Sequence, residues 1–152
     1  MLDRFDVLAR AALLVAGAYA TLDDSEIIRP VHLLRALLHG EQQAITTLLA
    51  DLDVSRDDLR SACDAEVGDR GPDRIASRTS AETLEGLMVA WRLADELRST
   101  QVLSVHLLVG MLEVAPGAVA RPFVERGLAA GSVRARLLAE APEPPRRRWY
   151  RR

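Results

Sequence analysis

Val31-His32-Leu33-Leu34 recurs as Val105-His106-Leu107-Leu108, 74 positions further along the chain. The same offset holds without a gap in both directions. Upstream, Leu13 matches Leu87, Val15 matches Val89, Ala16 matches Ala90 and Ala20 matches Ala94. Downstream, Leu38 matches Leu112, Ala44 matches Ala118 and Arg60 matches Arg134. Apolar character is kept at Leu14/Met88, Ile28/Val102, Leu37/Met111, Ile45/Val119 and Leu49/Phe123. Leu-rich helices produce short matches by chance, but not one constant offset from Leu13 to Arg60. The chain is therefore read as a duplicated unit.

Each copy reads as four helices. Phe5, Leu8, Ala9, Ala12, Val15, Ala16 and Tyr19 recur at three- and four-residue steps, which puts them on one face of a first helix. Its counterpart shows Leu84, Leu87, Met88, Trp91, Ala94 and Leu97. Second helices are expected over about 31–39 and 105–113, one opened by Pro30 and the other capped by Ser104. Third helices follow over about 41–51 and 117–126, ended by residues suited to a left-handed stop, Asp53 and Gly127. Fourth helices cover about 56–66 and 132–140, and Ser55 with Asp58 resembles a capping box for the earlier one. Thr79 with Glu82 reads as the cap that starts the second copy. A four-helix copy leaves its apolar face open. Two copies packed about a pseudo-twofold axis would close it, so the expected fold is all-α, an eight-helix duplication of a four-helix repeat. The expected layout is one domain over 1–140: repeat one at 4–66, a Gly/Pro-marked connector at 67–78 and repeat two at 79–140. A Pro/Arg-rich tail, 141–152, follows.

Composition narrows the chemistry. Hydrophobic residues make up 49% of the chain and aromatics only 4%, so the core must be aliphatic. All 20 basic residues are Arg. Without Lys there is no P-loop lysine, no Schiff base and no lysine nucleophile. Cys63 stands alone, cannot form an internal disulfide, and reads as a buried apolar thiol in a reducing compartment. No apolar run approaches the length of a membrane span and no leader is evident, so the cytoplasm is expected. The last seven residues hold five Arg, and the rest of the chain carries 15 Arg against 22 acids. An acidic body argues against a nucleic-acid-binding face. Arg146–Arg152, with Trp149 and Tyr150, reads as a tail; the alternative is a tether to nucleic acid or a membrane surface.

His32 and His106 occupy equivalent places. They read as structural residues, packed and hydrogen-bonded near a helix start, rather than as metal ligands or acid–base catalysts. No nucleophile elbow, carboxylate pair or phosphate-cradling loop supports catalysis. No metal and no cofactor are expected, and the chain reads as a non-enzyme.

Taken together, these residues resemble the Clp N-terminal repeat domain, the module at the front of the ClpA, ClpB and ClpC unfoldases. Phe5, Ala9, Ala16, His32-Leu33-Leu34, Leu37-Leu38, Leu49 and Val54 carry the resemblance in copy one. Ala90, Ala94, His106-Leu107-Leu108, Met111-Leu112 and Gly127 carry it in copy two. The resemblance implies a module that docks substrates, adaptor proteins or cyclic-peptide antibiotics. On this resemblance the chain is expected to stop where the unfoldases' ATPase modules would begin. It is thus similar to the stand-alone proteins found beside ClpC in actinobacteria: an adaptor, decoy or regulator of a ClpC-type unfoldase–protease, with antibiotic sequestration as an alternative. In ClpC-type domains a Glu precedes each of these His residues and holds the guanidinium of phosphoarginine. Here those positions are Val31 and Val105. Valine offers only apolar contact where a carboxylate pairs bidentately, which argues against phosphoarginine recognition by that route. The ligand- or partner-binding candidates are accordingly Val31, Val105, Phe5 and its copy-two counterpart Thr79.

Overall fold

A computed structural model describes residues 2–40, 42–67, 78–128 and 130–139. Among them lie eight α-helices, preceded by a 3-10 turn at Leu2–Arg4: α1 (Val7–Leu22), α2 (Pro30–His39), α3 (Gln43–Asp51), α4 (Arg56–Val67), α5 (Ala81–Glu96), α6 (Ser104–Val114), α7 (Gly117–Val124) and α8 (Ala130–Ala139). Two short strands, β1 (Ile27–Ile28) and β2 (Arg78–Thr79), complete the order. The all-α class and the doubled four-helix unit are as expected from the sequence. Most of the connector and all of residues 140–152 lie outside the described residues.

α2 and α6 sit at the centre because they are apolar on nearly every side. In α2, Val31, His32, Leu33, Leu34, Ala36, Leu37 and Leu38 are all buried. In α6, buried side chains run from Ser104 to Leu112 with only Val105 partly open. The two helices pack on each other, and the remaining helices wrap them. α1 turns a strip of small residues inward, Ala9, Ala12, Ala16 and Ala20. No single helix among the described residues is long and apolar enough to cross a membrane.

The two copies are joined by reciprocal strand exchange. Ile28 of copy one pairs in parallel with Thr79 of copy two, and Val102 of copy two pairs in parallel with Phe5 of copy one. Exchanging the copies turns one pair into the other: Ile28 corresponds to Val102 and Thr79 to Phe5. Reciprocity of this kind is the signature of a twofold relation. Backbone bonds follow it: Ser80 N donates to Ile28 O at 3.0 Å, and Asp6 N donates to Val102 O at 3.1 Å. The local turns repeat as well. Asp24 and Arg98 both adopt left-handed backbone, with φ of 51° and 55°, as do Asp53 and Gly127, with φ of 53° and 70°.

Three expectations need correction. Thr79 is not a cap; it lies in β2, and Ser80 caps α5 by accepting a bond from Thr83 N at 3.1 Å. Ser104 is the first residue of α6 and Leu103 holds the N-cap place. Phe5 precedes α1 in the exchanged strand, and Asp6 caps that helix by accepting from Ala9 N at 2.7 Å. One cause explains all three. The chain enters each helix from an extended segment already pinned to the other copy, and that pinning fixes which residue is the cap.

The halves differ in how closely their first two helices approach. Ala12 and Ala36 of copy one become Gly86 and Gly110 in copy two. A Cβ on Gly110 would lie 2.2 Å from Gly86 O and 3.1 Å from Ala90 N, both rigid backbone. A Cβ on Gly86 would meet the flexible end of Met111 at 2.3 Å, and Val114 and Gly110 O only at 3.0 Å. Gly110→Ala should therefore destabilise the fold by about 2–3 kcal/mol, as overpacking does. Gly86→Ala should cost clearly less. Urea unfolding of the two variants side by side measures the difference.

Candidate functional site

The two central helices start in the same unusual way. The Nδ1 atom of His32 accepts a hydrogen bond from Arg29 N at 3.0 Å, and Nδ1 of His106 accepts one from Leu103 N at 3.0 Å. Each ring thus does the job that Glu or Gln performs at the third position of a capping box. A nitrogen that accepts carries no proton, so each neutral ring holds its hydrogen on Nε2. Both rings are buried, His32 completely. Burial, reinforced by Arg29 and Arg35, pushes His32 down from 6.5 to about 4. Burial also lowers His106, against an opposing pull from Asp6. The Nε2 of His32 stands 3.3 Å from Asp23 Oδ2 but is not aligned for a hydrogen bond. That carboxylate is held by Arg35 at 2.6 Å, which blunts its influence on the ring.

The residues singled out from the sequence fall in different surroundings. Val31 is buried at the base of a recess of about 220 Å³, beside Pro30, Val114 and Pro116, with Arg29, Glu66 and Glu82 around it. Arg29 and Glu82 also line a wider, shallow cleft of about 630 Å³ that reaches Asp24 and Ile27. Thr79 is exposed on β2, and Val105 is half-buried against the core. Phe5 has no exposed surface. Its ring meets Trp91 edge-on with 6.1 Å between centroids. These four residues do not line one common pocket.

A fifth surface was not legible in the periodicity. Leu84, Met88 and Trp91 belong to the apolar stripe of α5, but the stripe is wider than the core can cover. Leu87 turns inward, whereas Leu84 and Met88 stay 46% and 58% exposed. Leu87, Met88, Trp91 and Arg92 line a recess of about 300 Å³. Its indole wall is firmly placed. Phe5 supports one side, and the Arg4 guanidinium lies 4.9 Å from the ring centre. Arg4 is itself held by Asp95 at 2.5 Å and by Ser99 O at 3.1 Å. In copy one the matching positions are Arg10, Leu14 and Gly17, so this aromatic recess belongs to copy two alone.

Nothing in these surroundings activates a nucleophile. Cys63 is buried, and desolvation with the neighbouring Asp64 pushes its thiol up to about 12. Each buried His is committed to its own helix start. No group of three His, Cys, Asp or Glu that could hold a metal ion occurs among the described residues.

The arrangement is that of a doubled helical domain: two like halves locked by exchanged strands, with recesses at the seams and an apolar face outside. The family model of the Clp repeat N-terminal domain matches residues 4–82, just over half of the chain, and the protein belongs to that family. Comparison with curated protein sequences gives no match. Solved structures agree on the fold. The Hsp104 N-terminal domain of Candida albicans is 20% identical with a TM-score of 0.68, covering 88% of each chain. The N-terminal domain of the caseinolytic protease associated chaperone ClpD of Arabidopsis thaliana is 18% identical with a TM-score of 0.62, covering 91% of this chain and 98% of that one. The N-terminal domain of the ClpV1 ATPase of E. coli is 22% identical with a TM-score of 0.66, covering 95% and 92%. At these identities the likeness establishes architecture alone.

The buried histidines make stability depend on pH. The folded state keeps His32 neutral down to about pH 4, whereas the unfolded chain takes up a proton near 6.5. The stabilisation is therefore whole above pH 6.5 and is lost as the pH falls towards 4, amounting to up to about 3 kcal/mol. His32→Gln keeps an acceptor for Arg29 N and removes the titration. Its unfolding free energy should fall less than that of the parent between pH 7 and pH 4, as denaturant titrations at several pH values will measure.

Proposed function

We propose that this protein is a non-catalytic docking module of the cytoplasm that binds a protein segment and acts as an adaptor, decoy or regulator of a ClpC-type unfoldase–protease. The exposed α5 face carries the reading. Leu84 and Met88 present large apolar side chains to water beside a recess walled by an immobilised Trp91. Continuous apolar surface next to a fixed aromatic is the usual anchor point of a partner chain. Membership of the Clp repeat family supports the connection to unfoldases, and one of the similar domains comes from a chaperone associated with the caseinolytic protease. The segment that fits best is an amphipathic helix or extended stretch offering Leu, Ile or Phe to the recess. The recess over Val31, apolar at its base with Glu66 and Glu82 beside it, is a secondary contact for the same partner.

The test uses the full chain, immobilised, against a purified ClpC-type unfoldase, its adaptors and an unstructured substrate protein. Met88→Glu and Leu84→Asp alter exposed positions, so folding stability should stay within about 0.5 kcal/mol. Each should weaken capture by at least about tenfold, since burying one such side chain is worth about 1.5–3 kcal/mol. Val124, 63% exposed on α7, is the control, and Val124→Glu should leave capture unchanged. Capture that is absent for every partner, or equal for all three variants, rules the proposal out.

A further inference from the structure

Copy one contains a polar recess that copy two lacks. Tyr19, Arg35, His39, Arg60 and Asp64 line a cavity of about 250 Å³ at the C-terminal end of α2. At the equivalent positions copy two carries Leu93, Val109, Glu113, Arg134 and Leu138. Three of the five polar groups are therefore aliphatic in the other half, where the same backbone packs without them. The fold does not require this polarity.

The repeat also supplies an internal control for the shared arginine. Arg134 pairs with Glu96 and approaches Glu113 at 4.0 Å. In copy one the residues matching Glu96 and Glu113 are Leu22 and His39. Arg60, which matches Arg134, donates to the carbonyl of Leu38 at 2.8 Å and has no carboxylate partner among the described residues. The two halves thus place the same guanidinium on the same scaffold. One half provides its acid from within, and the other leaves a recess there.

The groups around that recess are donors held in position. The Arg35 guanidinium is fixed by Asp23 at 2.6 Å and by Asp64 at 3.0 Å, and it lies 4.3 Å from the Tyr19 ring centre. Tyr19 Oη is 2.7 Å from Nδ1 of His39, so a Tyr19 that donates to this nitrogen leaves the exposed His39 with its proton on Nε2. Asp64, 53% exposed, is the one acid in the lining and offsets part of the positive charge. We propose that this recess binds an oxyanion, with Arg60 and the Nε2–H of His39 as donors: the carboxylate of an Asp or Glu side chain of a partner, or a phosphate. The recess accommodates one such group rather than a chain. The proposal stands apart from the α5 face, and neither depends on the other.

The test is an NMR titration of the full chain, following the Nε–H signals of Arg60 and Arg35 and the ring signals of His39 and Tyr19. The probes are inorganic phosphate and N-acetyl-glutamate amide, each at constant ionic strength held with chloride. Saturable shifts confined to these groups are expected, with affinity near millimolar. Saturation by the glutamate derivative identifies an acidic side chain as the ligand, and saturation by phosphate alone identifies phosphate. His39→Glu installs in copy one the acid that copy two already has at Glu113, and it should weaken binding by at least about tenfold while leaving the chain folded. Arg60→Gln should abolish the response, whereas Asp64→Asn should strengthen it severalfold. Shifts that never saturate, or that persist unchanged in His39→Glu and Arg60→Gln, overturn the proposal.

Discussion

Reciprocal exchange of the entering strands is the constraint on which the other features rest. Each copy begins with an extended segment that pairs with the other copy, Phe5 with Val102 and Thr79 with Ile28. Those segments aim α1 and α5 across the central pair α2 and α6. Only then can helices that are apolar on almost every side be enclosed. The recess at the start of α2 draws Arg29 and Val31 from one copy and Glu82 and Val114 from the other, so it exists only because the halves interlock. The aromatic wall on α5 has the same origin. Phe5 crosses from copy one to support Trp91 of copy two.

The histidines at the two central helix starts show how a polar group is accommodated in such an interior. Each satisfies a part-buried backbone N–H that the start of its helix leaves without an intrahelical partner. The arrangement works only with an uncharged ring, and burial keeps the ring uncharged. Val31 and Val105 stand immediately before these rings. Neither contributes a charge to the helix starts, which leaves Glu66 and Glu82, from other elements, as the acids beside Val31.

Much of this was legible in the sequence because it obeys a period. The constant offset exposed the duplication and the order of four helices in each copy. Asp53 and Gly127 both take the left-handed stop expected of them. The misplaced caps at Thr79 and Ser104 have a different character. A cap is set by where extended backbone gives way to helix, and here that point is fixed by pairing with a strand far away in sequence. The α5 face was hidden for a related reason. Leu84, Leu87, Met88 and Trp91 share one stripe, and only packing decides that Leu87 goes inside while Met88 stays out. The polar recess of copy one was invisible residue by residue. Tyr19, Arg35 and Asp64 stand out only when the offset sets Leu93, Val109 and Leu138 beside them.

Strand exchange between two separate chains would make a symmetric homodimer, in which every substitution is felt twice. Carrying both units in one polypeptide lifts that obligation. Phe5 and Trp91 can fill one junction with aromatics while Thr79 and Gly17 leave the other small. Polar side chains can collect on one side while leucines replace them on the other. Tandem fusion thus turns an obligate mirror of functions into two independently adjustable surfaces, and a single copy of this chain can present a different chemistry from each end.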